Sequence, residues 1–233
     1  MALPTLLLTR PVASAKAFAN SLNPSVLSRV RLVISPLLEI SGTGIIPSLA
    51  QVGGVIFTSA NGVLHAPKGE GRPAYCVGAQ TTAEATAHGW TAHQMGDTAQ
   101  ELIAAICADP PECPLLHLSG RHTRGDIAQT LTNAGIATER VTIYEQSLLG
   151  LDAAARLALQ GPCVVPVFSP RSAAQLAKEA HGKLDQAYVI ALSDAVAGPL
   201  AGENARNLTV LPAPQAVIMR EVLENLCLNL SLP

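Results

Sequence analysis

Short apolar runs alternate with amphipathic stretches along most of this sequence. Several amphipathic stretches repeat apolar residues at helical intervals, and many begin with Ser, Thr or Asp, which favour helix N-termini. Alternating strands and helices predict an α/β fold with parallel sheets. The predicted strands are 6–9, 31–35, 54–59, 74–78, 114–119, 140–144, 163–169, 187–193 and 208–211. The predicted helices are 12–22, 80–88, 98–107, 123–134, 171–180 and 213–228.

The pattern also repeats itself after about 110 residues. The clearest pair is "FTSANGV" at 57–63 and "FSPRSAA" at 168–174, each the end of a strand running into a helix. The other pairs are "LLLTR" with "LLHLSG", "RLVIS" with "RVTIY", and "GDTAQELIAAI" with "LPAPQAVIMRE". These pairs indicate an internal duplication.

The repeat is offset along the chain, because two strand signals precede residue 36 and about three follow residue 145. We therefore expect two similar domains, one of them discontinuous. Residues 1–35 and 146–233 form the first α/β domain, and residues 36–145 form the second, which is inserted into it. Two crossings of the chain join them.

Composition excludes several classes of protein. With 48% hydrophobic and 14% charged residues and a mean hydropathy of +0.31, disorder is not expected. A net charge of −2 offers no basic surface for nucleic acid. No apolar run approaches the ~18 residues of a membrane span, and no positive charge precedes the first apolar stretch, as it would in a secretory signal. Five widely spaced cysteines predict reduced thiols and a cytoplasmic protein.

Hydroxyl groups are the chemistry that the predicted strand ends offer. Thr58, Ser59 and Ser169 follow buried strands, where helix N-termini present unpaired N–H groups to ligands. Helix capping alone explains any one of them. Two copies in a duplicated fold favour a shared role in binding an anionic ligand. The six histidines are scattered, and phosphate-loop and dinucleotide motifs are missing, so we expect no metal site and no cofactor.

An ordered set of motifs resembles uroporphyrinogen-III synthases over nearly the whole chain. The motifs are "LLLTRP", "FTSANGV", "VGAQTTAEA", "SGRHTRGDIAQTLTNAG", "VTIYEQ" and "VFSPRSA". The resemblance implies two flavodoxin-like domains joined by a two-stranded linker, the first built from both ends of the chain. It also implies cyclisation of hydroxymethylbilane to uroporphyrinogen III, with loss of water and inversion of ring D, by a cofactor-independent hydro-lyase. We expect a monomer that binds neither nucleic acid nor membrane.

The same resemblance suggests roles for individual residues. Tyr144 would donate a hydrogen bond to the leaving hydroxyl, since a phenol stays protonated at neutral pH. The alternative is a tyrosine that only packs at the domain joint. Arginines would pair with substrate carboxylates, although for Arg124 a solvated helix position is equally compatible. The implied substrate-binding residues are Arg10, Thr58, Ser59, Thr81, Ser119, Gly120, Arg124, Ser169 and Ser193.

One turn departs from the family pattern. Family members often have Gly-Pro-Thr-Thr-Ala where this chain has "LSDAVA" at 192–197, which introduces Asp194 and weakens the case for Ser193. Two other kinds of function remain open on the sequence. One is a two-lobed cytoplasmic protein that binds a small molecule, and the other is a degenerate synthase-like domain that serves as an interaction module.

Overall fold

The computed structural model describes residues 3–123 and 125–229. Its strands are β1 (Thr5–Leu8), β2 (Arg31–Ile34), β3 (Leu38–Gly42), β4 (Gly54–Phe57), β5 (Pro73–Cys76), β6 (Thr91–Gln94), β7 (Leu115–Gly120), β8 (Thr138–Leu148), β9 (Cys163–Val167), β10 (Ala187–Ala191) and β11 (Asn207–Val210). Its helices are α1 (Val12–Asn20), α2 (Pro24–Leu27), α3 (Ala60–His65), α4 (Ala79–Ala87), α5 (Ala99–Ala108), α6 (Ile127–Asn133), α7 (Ala153–Ala158), α8 (Pro170–Ala180), α9 (Asp194–Ala197) and α10 (Ala216–Asn229), with a 3₁₀ helix at Gly198–Leu200.

The chain divides into two compact units. Unit 1 comprises the chain up to Glu39 and from Ser147 onward, and unit 2 comprises Ile40–Gln146. The chain passes from one unit to the other within β3 and again within β8. The boundaries expected from the sequence were 35/36 and 145/146. In the part of the chain that the structure describes, no helix has the length and apolarity needed to cross a membrane.

Unit 1 is a five-stranded parallel sheet with helices on both faces. Its strand order is β11-β10-β9-β1-β2. Leu7 and the inward side chains of β9 pack against α7 and α8 on one face, whereas Leu6 and Leu8 pack against α1 and α10 on the other. Side chains on both surfaces of every central strand are therefore buried, which explains the continuous apolar runs in the sequence.

Unit 2 contains a six-stranded sheet in the order β3-β8-β7-β4-β5-β6. The strands from β4 to β8 run parallel, with α3 and α4 on one face and α5 and α6 on the other. The N–H of Thr43 bonds to the carbonyl of Ile143, and the N–H of Leu149 bonds to the carbonyl of Leu37. The residue numbers of these bonded pairs rise along one strand as they fall along the other. The strands β3 and β8 are therefore antiparallel.

The predicted α/β fold with parallel sheets is confirmed, and the strand orders add a correction. Unit 1 has the flavodoxin order when its strands are numbered along the chain. The five parallel strands of unit 2 instead have the order 3-2-1-4-5 of dinucleotide-binding folds. The two orders become identical when unit 1 is counted from β9, so that β9 corresponds to β4 and β1 to β7. The flavodoxin label therefore fits unit 1 directly and unit 2 only after circular permutation.

All nine predicted strands are present, and two further strands were missed. These are β3 and β6, whose burial is partial and whose sequences "LEISG" and "TAHQ" carry no apolar run. Both lie at the edges of the unit 2 sheet, where one side of the strand has no neighbour. Edge strands need fewer apolar residues, so they leave little signal in hydropathy. The short helices α2, α7 and α9 also lay outside the predicted set.

Candidate functional site

Each sheet has one point where the connections reverse direction. In unit 1 this switch point lies between β9 and β1, and in unit 2 it lies between β4 and β7. Ligands of open parallel sheets bind beside the carboxyl ends of the strands at such points. Arg10 and Ser169 follow β1 and β9, whereas Ser59 and Gly120 lie at the ends of β4 and β7. Ser59 and Ser169 thus occupy corresponding positions in the two units, and Arg10 and Gly120 lie near the ends of corresponding strands.

Tyr144 is enclosed by groups from three elements of unit 2. Its side chain is only 7% exposed. The ring stacks on His65 with a centroid distance of 5.9 Å and an interplanar angle of 22°. On another side it lies against Gly120, where an added Cβ would be 2.6 Å from Cζ of the tyrosine. A side chain at position 120 would therefore displace the phenol.

The phenol of Tyr144 remains a proton donor over a wide pH range. Burial raises its pKa, and hydrogen bonding by the Ser59 side chain and the Gly120 backbone opposes that rise. The structure thus brings together Ser59, Gly120 and Tyr144, three residues named from the sequence. A neutral phenol held beside a serine hydroxyl can protonate, or donate a hydrogen bond to, a departing oxygen.

A β-bulge sets the direction of Tyr144. In the β7–β8 ladder Ser119 lies beside Thr142, but the next residue, Gly120, lies beside Tyr144. The extra residue is Ile143. Side chains of neighbouring strand residues normally point to opposite faces, yet Ile143 and Tyr144 pack in the same core cluster on the α3 face. The bulge therefore turns Tyr144 toward α3 and Ser59.

The side chain of Arg140, in β8, reaches the turn that follows β7. Its Nε donates to Oγ of Ser119 at 2.9 Å, and its Nη2 donates to the carbonyls of Gly120 at 2.9 Å and Arg121 at 3.0 Å. Ser119 is 2% exposed, so its hydroxyl is buried in this contact. The structure therefore gives Ser119 a role in holding Arg140.

Thr58 and Thr81 occupy different places at the edge of unit 2. Thr58 is half-buried directly after β4, and Ser59, not Thr58, accepts from the backbone N–H of Asn61 to cap α3 at 3.3 Å. Thr81 lies in the first turn of α4 and is 6% exposed. A buried threonine in that turn presents little hydroxyl surface to a ligand.

Arg10 is the cationic group at the edge of unit 1. Its guanidinium lies over the ring of Phe168, with Cζ 4.1 Å from the ring centroid. Phe168 in turn packs edge-on against Phe18 at 5.1 Å. Partial burial lowers the pKa of Arg10, although a guanidinium stays charged at neutral pH. Arg10 forms no ion pair with any residue that the structure describes, so its donors are available to an anion.

The two candidate serines of unit 1 differ in their side-chain hydrogen bonds. Ser169 caps α8 by accepting from the backbone N–H of Ser172 at 3.1 Å, and it donates to Oγ of Ser172 at 2.9 Å. Ser193 stands at the N-cap position of α9 without a side-chain bond to that helix. Asp194 follows in the exposed first turn. Its carboxylate adds negative charge to a turn at which an anion would otherwise bind.

The remaining candidate, Arg124, lies outside the described residues. Within ranges 3–123 and 125–229, no group of three His, Cys, Asp or Glu side chains is arranged to hold a metal ion. Sequence reasoning missed Arg140, His65 and Phe168. Arg140 precedes Tyr144 by four residues in "RVTIY", and Phe168 directly precedes Ser169, so proximity to a candidate was the available signal.

Comparison with protein families decides the assignment. The family described as uroporphyrinogen-III synthase HemD matches residues 30–216. The chain belongs to the uroporphyrinogen-III synthase family. This confirms the resemblance seen in the motifs and places the function of the chain in tetrapyrrole biosynthesis. No curated protein is matched by its sequence.

Solved structures of the family share the fold at low sequence identity. Uroporphyrinogen-III synthetase from Helicobacter pylori has a TM-score of 0.68 at 16% identity, covering 96% of this chain and 100% of its own. A mutant uroporphyrinogen III synthase from Thermus thermophilus has a TM-score of 0.51 at 11% identity, covering 97% and 100%. The uroporphyrinogen-III synthase fold is thus present along almost the full chain.

Proposed function

We propose that this chain cyclises hydroxymethylbilane to uroporphyrinogen III, as a hydro-lyase that needs neither metal nor organic cofactor. The family match supports the substrate class. The observation that carries the mechanism is the enclosed phenol of Tyr144 beside Ser59 at the switch point of unit 2. We further propose that the protein acts in the cytoplasm as a monomer, and that its two units are the two domains expected from the duplication.

The reaction begins with loss of the terminal hydroxyl of hydroxymethylbilane as water. The adjacent pyrrole nitrogen pushes the hydroxyl out and leaves an electrophilic azafulvene. The far ring attacks through its substituted carbon, and the resulting spiro intermediate opens and recloses with ring D inverted. Such chemistry depends on positioning, which contributes several orders of magnitude in rate, together with one proton donor.

Tyr144 is the proposed donor to the leaving hydroxyl. Its raised pKa keeps the phenol protonated at and well above neutral pH. Stacking on His65 and contact with Gly120 restrict its ring, so the donor is held in one orientation. A restricted donor loses little entropy as the reaction proceeds.

Arg10 is the proposed partner of a substrate carboxylate. Hydroxymethylbilane carries eight carboxylates, and the guanidinium of Arg10 is fixed against Phe168 without an ion pair among the described residues. Bidentate arginine–carboxylate pairs combine charge with geometric specificity. Ser169, at the N-terminus of α8, and Ser193 are proposed as weaker contacts, and Thr58 as a contact in unit 2. Thr81 and Ser119 are buried, so we propose that they support the neighbouring backbone.

The test is direct conversion of the proposed substrate. Purified protein, exhaustively chelated and desalted, is incubated with enzymatically generated hydroxymethylbilane, and the oxidised products are resolved into type I and type III isomers. We expect the type III isomer at the same rate before and after chelation. Type I isomer alone would contradict the proposed function. Activity that disappears with the chelator and returns with a metal would contradict the cofactor-independent mechanism.

A further inference from the structure

We propose that Arg140 is a positioning residue for Tyr144. It acts by holding the bulge at Ser119 and Gly120 in the conformation that turns the phenol toward Ser59. This inference rests on the proposed function of Tyr144. The geometry from which it is argued, however, belongs to the fold and can be tested without substrate.

The regular register of the β7–β8 ladder is broken between Ser119 and Gly120, and a side chain holds the backbone at this point. Gly120 ends β7, and Arg121 follows in the turn. From the neighbouring strand, Arg140 donates to the carbonyls of both residues and to the hydroxyl of Ser119, so its guanidinium holds this turn. The N–H of Arg121 donates to the carbonyl of Tyr144 at 3.0 Å. The bulge is thus fixed from both sides.

The position of Gly120 is coupled directly to the phenol. Gly120 lies so close that a Cβ would be 2.9 Å from the hydroxyl oxygen of Tyr144 and 2.6 Å from Cζ. A small shift of the Gly120 backbone must therefore move the ring or open a gap beside it. By fixing the carbonyl of Gly120, Arg140 fixes the wall against which the phenol rests.

The contacts of Arg140 argue for a geometric role. It forms no ion pair with a carboxylate in the described ranges, and its three contacts are neutral oxygens arranged around one turn. The planar fork of arginine can meet three such acceptors at once, whereas the ammonium of lysine is a point donor on a flexible stem. A lysine at position 140 would keep the positive charge and would not make the same three hydrogen bonds.

Kinetics of Arg140→Met, Arg140→Lys and Tyr144→Phe test the proposal. We expect Arg140→Met to lower kcat about tenfold and to change KM by less than about twofold. Loss of the guanidinium misplaces the phenol of Tyr144, which acts in the step in which the hydroxyl leaves. Arg140→Lys should resemble Arg140→Met. In the Tyr144→Phe background, Arg140→Met should lower kcat by less than about twofold further, since both changes remove the same donor. Two results would overturn the proposal and indicate instead that Arg140 contacts a substrate carboxylate. One is a KM that rises in Arg140→Met and is normal in Arg140→Lys, and the other is a loss of kcat in the double variant equal to the product of the two single losses.

A spectroscopic measurement follows the phenol itself. The chain has three tyrosines, so incorporation of 3-fluorotyrosine gives three ¹⁹F resonances. The signal of Tyr144 is the one missing from Tyr144→Phe. We expect Arg140→Met and Gly120→Ala to shift that signal and to leave those of Tyr75 and Tyr188 in place. An unmoved Tyr144 signal in Arg140→Met would overturn the proposal even if activity fell.

Arg156 provides a matched control in unit 1. It also makes three side-chain contacts, donating to the carbonyls of Leu151 and Glu179 and to the carboxylate of Glu179. Arg156→Met should lower the melting temperature, with kcat and all three ¹⁹F signals unchanged. If it moved the Tyr144 signal as Arg140→Met does, the shift would report general destabilisation and the proposal would fail. Absence of type III product from the wild type would remove the proposed function, while the ¹⁹F result would still decide whether Arg140 orients Tyr144.

Discussion

The five parallel strands of the two units have the same order when unit 1 is counted from β9, but the chemistry at their carboxyl ends differs. A serine follows the first strand of each, Ser59 after β4 and Ser169 after β9, and accepts a bond from its helix. The residues near the end of the neighbouring strand differ between the two units. In unit 1 Arg10 follows β1 and its guanidinium lies over Phe168, whereas in unit 2 Gly120 ends β7 and lies against Tyr144. The two units thus share the order of these strands and the serine cap, and they differ at the neighbouring strand, where one has a guanidinium and the other adjoins a buried phenol.

The ladders allow this comparison residue by residue. Leu6 lies beside Val164, and Leu115 lies beside Gly54. Val164 and Gly54 each precede the last residue of their strand by three positions. Leu6 and Leu115 therefore correspond, which matches Leu8 with His117 and Arg10 with Ser119. Leu8 is fully buried, and His117 is 2% exposed with no partner for either ring nitrogen among the described residues.

Tyr144→Phe should have the largest effect, because it removes the donor that distinguishes unit 2. Loss of one transition-state hydrogen bond corresponds to a fall in kcat of about ten- to hundredfold. The melting temperature should change little, since the ring remains packed, and residual product should still be mainly type III. The half-buried Tyr188 of unit 1 gives the control Tyr188→Phe, which should retain full turnover. Normal turnover in Tyr144→Phe would make it a packing residue.

Arg10→Met should have the next largest effect, and on a different kinetic constant. A lost charge-assisted hydrogen bond to a carboxylate raises KM by about tenfold, with kcat less affected. Arg206 is the matched control, because its guanidinium also lies near an aromatic ring, 5.7 Å from the centroid of Tyr188. Arg206→Met should leave KM unchanged. Equal KM values for the two variants would show that Arg10 binds no substrate carboxylate.

His117→Leu should alter stability and its pH dependence, by restoring the residue type found in unit 1. Burial first, and then Arg140, lower the pKa of His117 to about 4, although Asp126 acts in the opposite direction. The unfolded chain therefore takes up a proton near pH 6.5 that the folded chain resists, so stability falls as pH drops from about 6.5 to about 4. Between about pH 7.5 and about pH 5 this loss is about 2 kcal/mol. Urea unfolding at the two pH values should show the loss in the wild type and its absence in His117→Leu.

A wild type with the same stability at both pH values would contradict that account. Leu6→Val in unit 1 is the control, since it alters a buried β1 side chain and leaves every titratable group in place. It should lower stability equally at both pH values.

Ser59→Ala and Ser169→Ala should have the smallest effects on turnover and should differ from each other. Either loss of a helix cap lowers stability by about 1 kcal/mol. Only Ser59 lies close enough to the phenol to lower the pKa of Tyr144, so Ser59→Ala should lower kcat about two- to fivefold, whereas Ser169→Ala should leave kcat unchanged. Turnover of both variants beside their melting temperatures measures this difference. Equal kcat values would show that the Ser59–Tyr144 contact has no part in the reaction.

The sequence was most informative where the position of a strand or helix in the fold produces a recognisable local pattern of residues. Strands buried on both faces produced apolar runs, and a serine at a strand end produced the cap motifs of Ser59 and Ser169. Arg10 and Tyr144 were named by resemblance to the family; in the structure Arg10 follows the end of β1, and Tyr144 lies beside Gly120, the last residue of β7. The edge strands β3 and β6 gave no comparable signal, because partly exposed side chains need not be apolar.

By itself, then, the sequence determined the α/β class and the family, since these follow from local periodicity and from motifs in order, whereas the internal duplication stays a prediction. Tertiary structure alone decided which face Tyr144 occupies, because a bulge between β7 and β8 depends on how two separate strands align. It likewise decided that Arg140 braces Gly120, that His65 stacks on Tyr144, and that His117 is buried without a partner among the described residues. Each of these features arises from contact between residues that no local pattern relates, and so only the folded chain could reveal them.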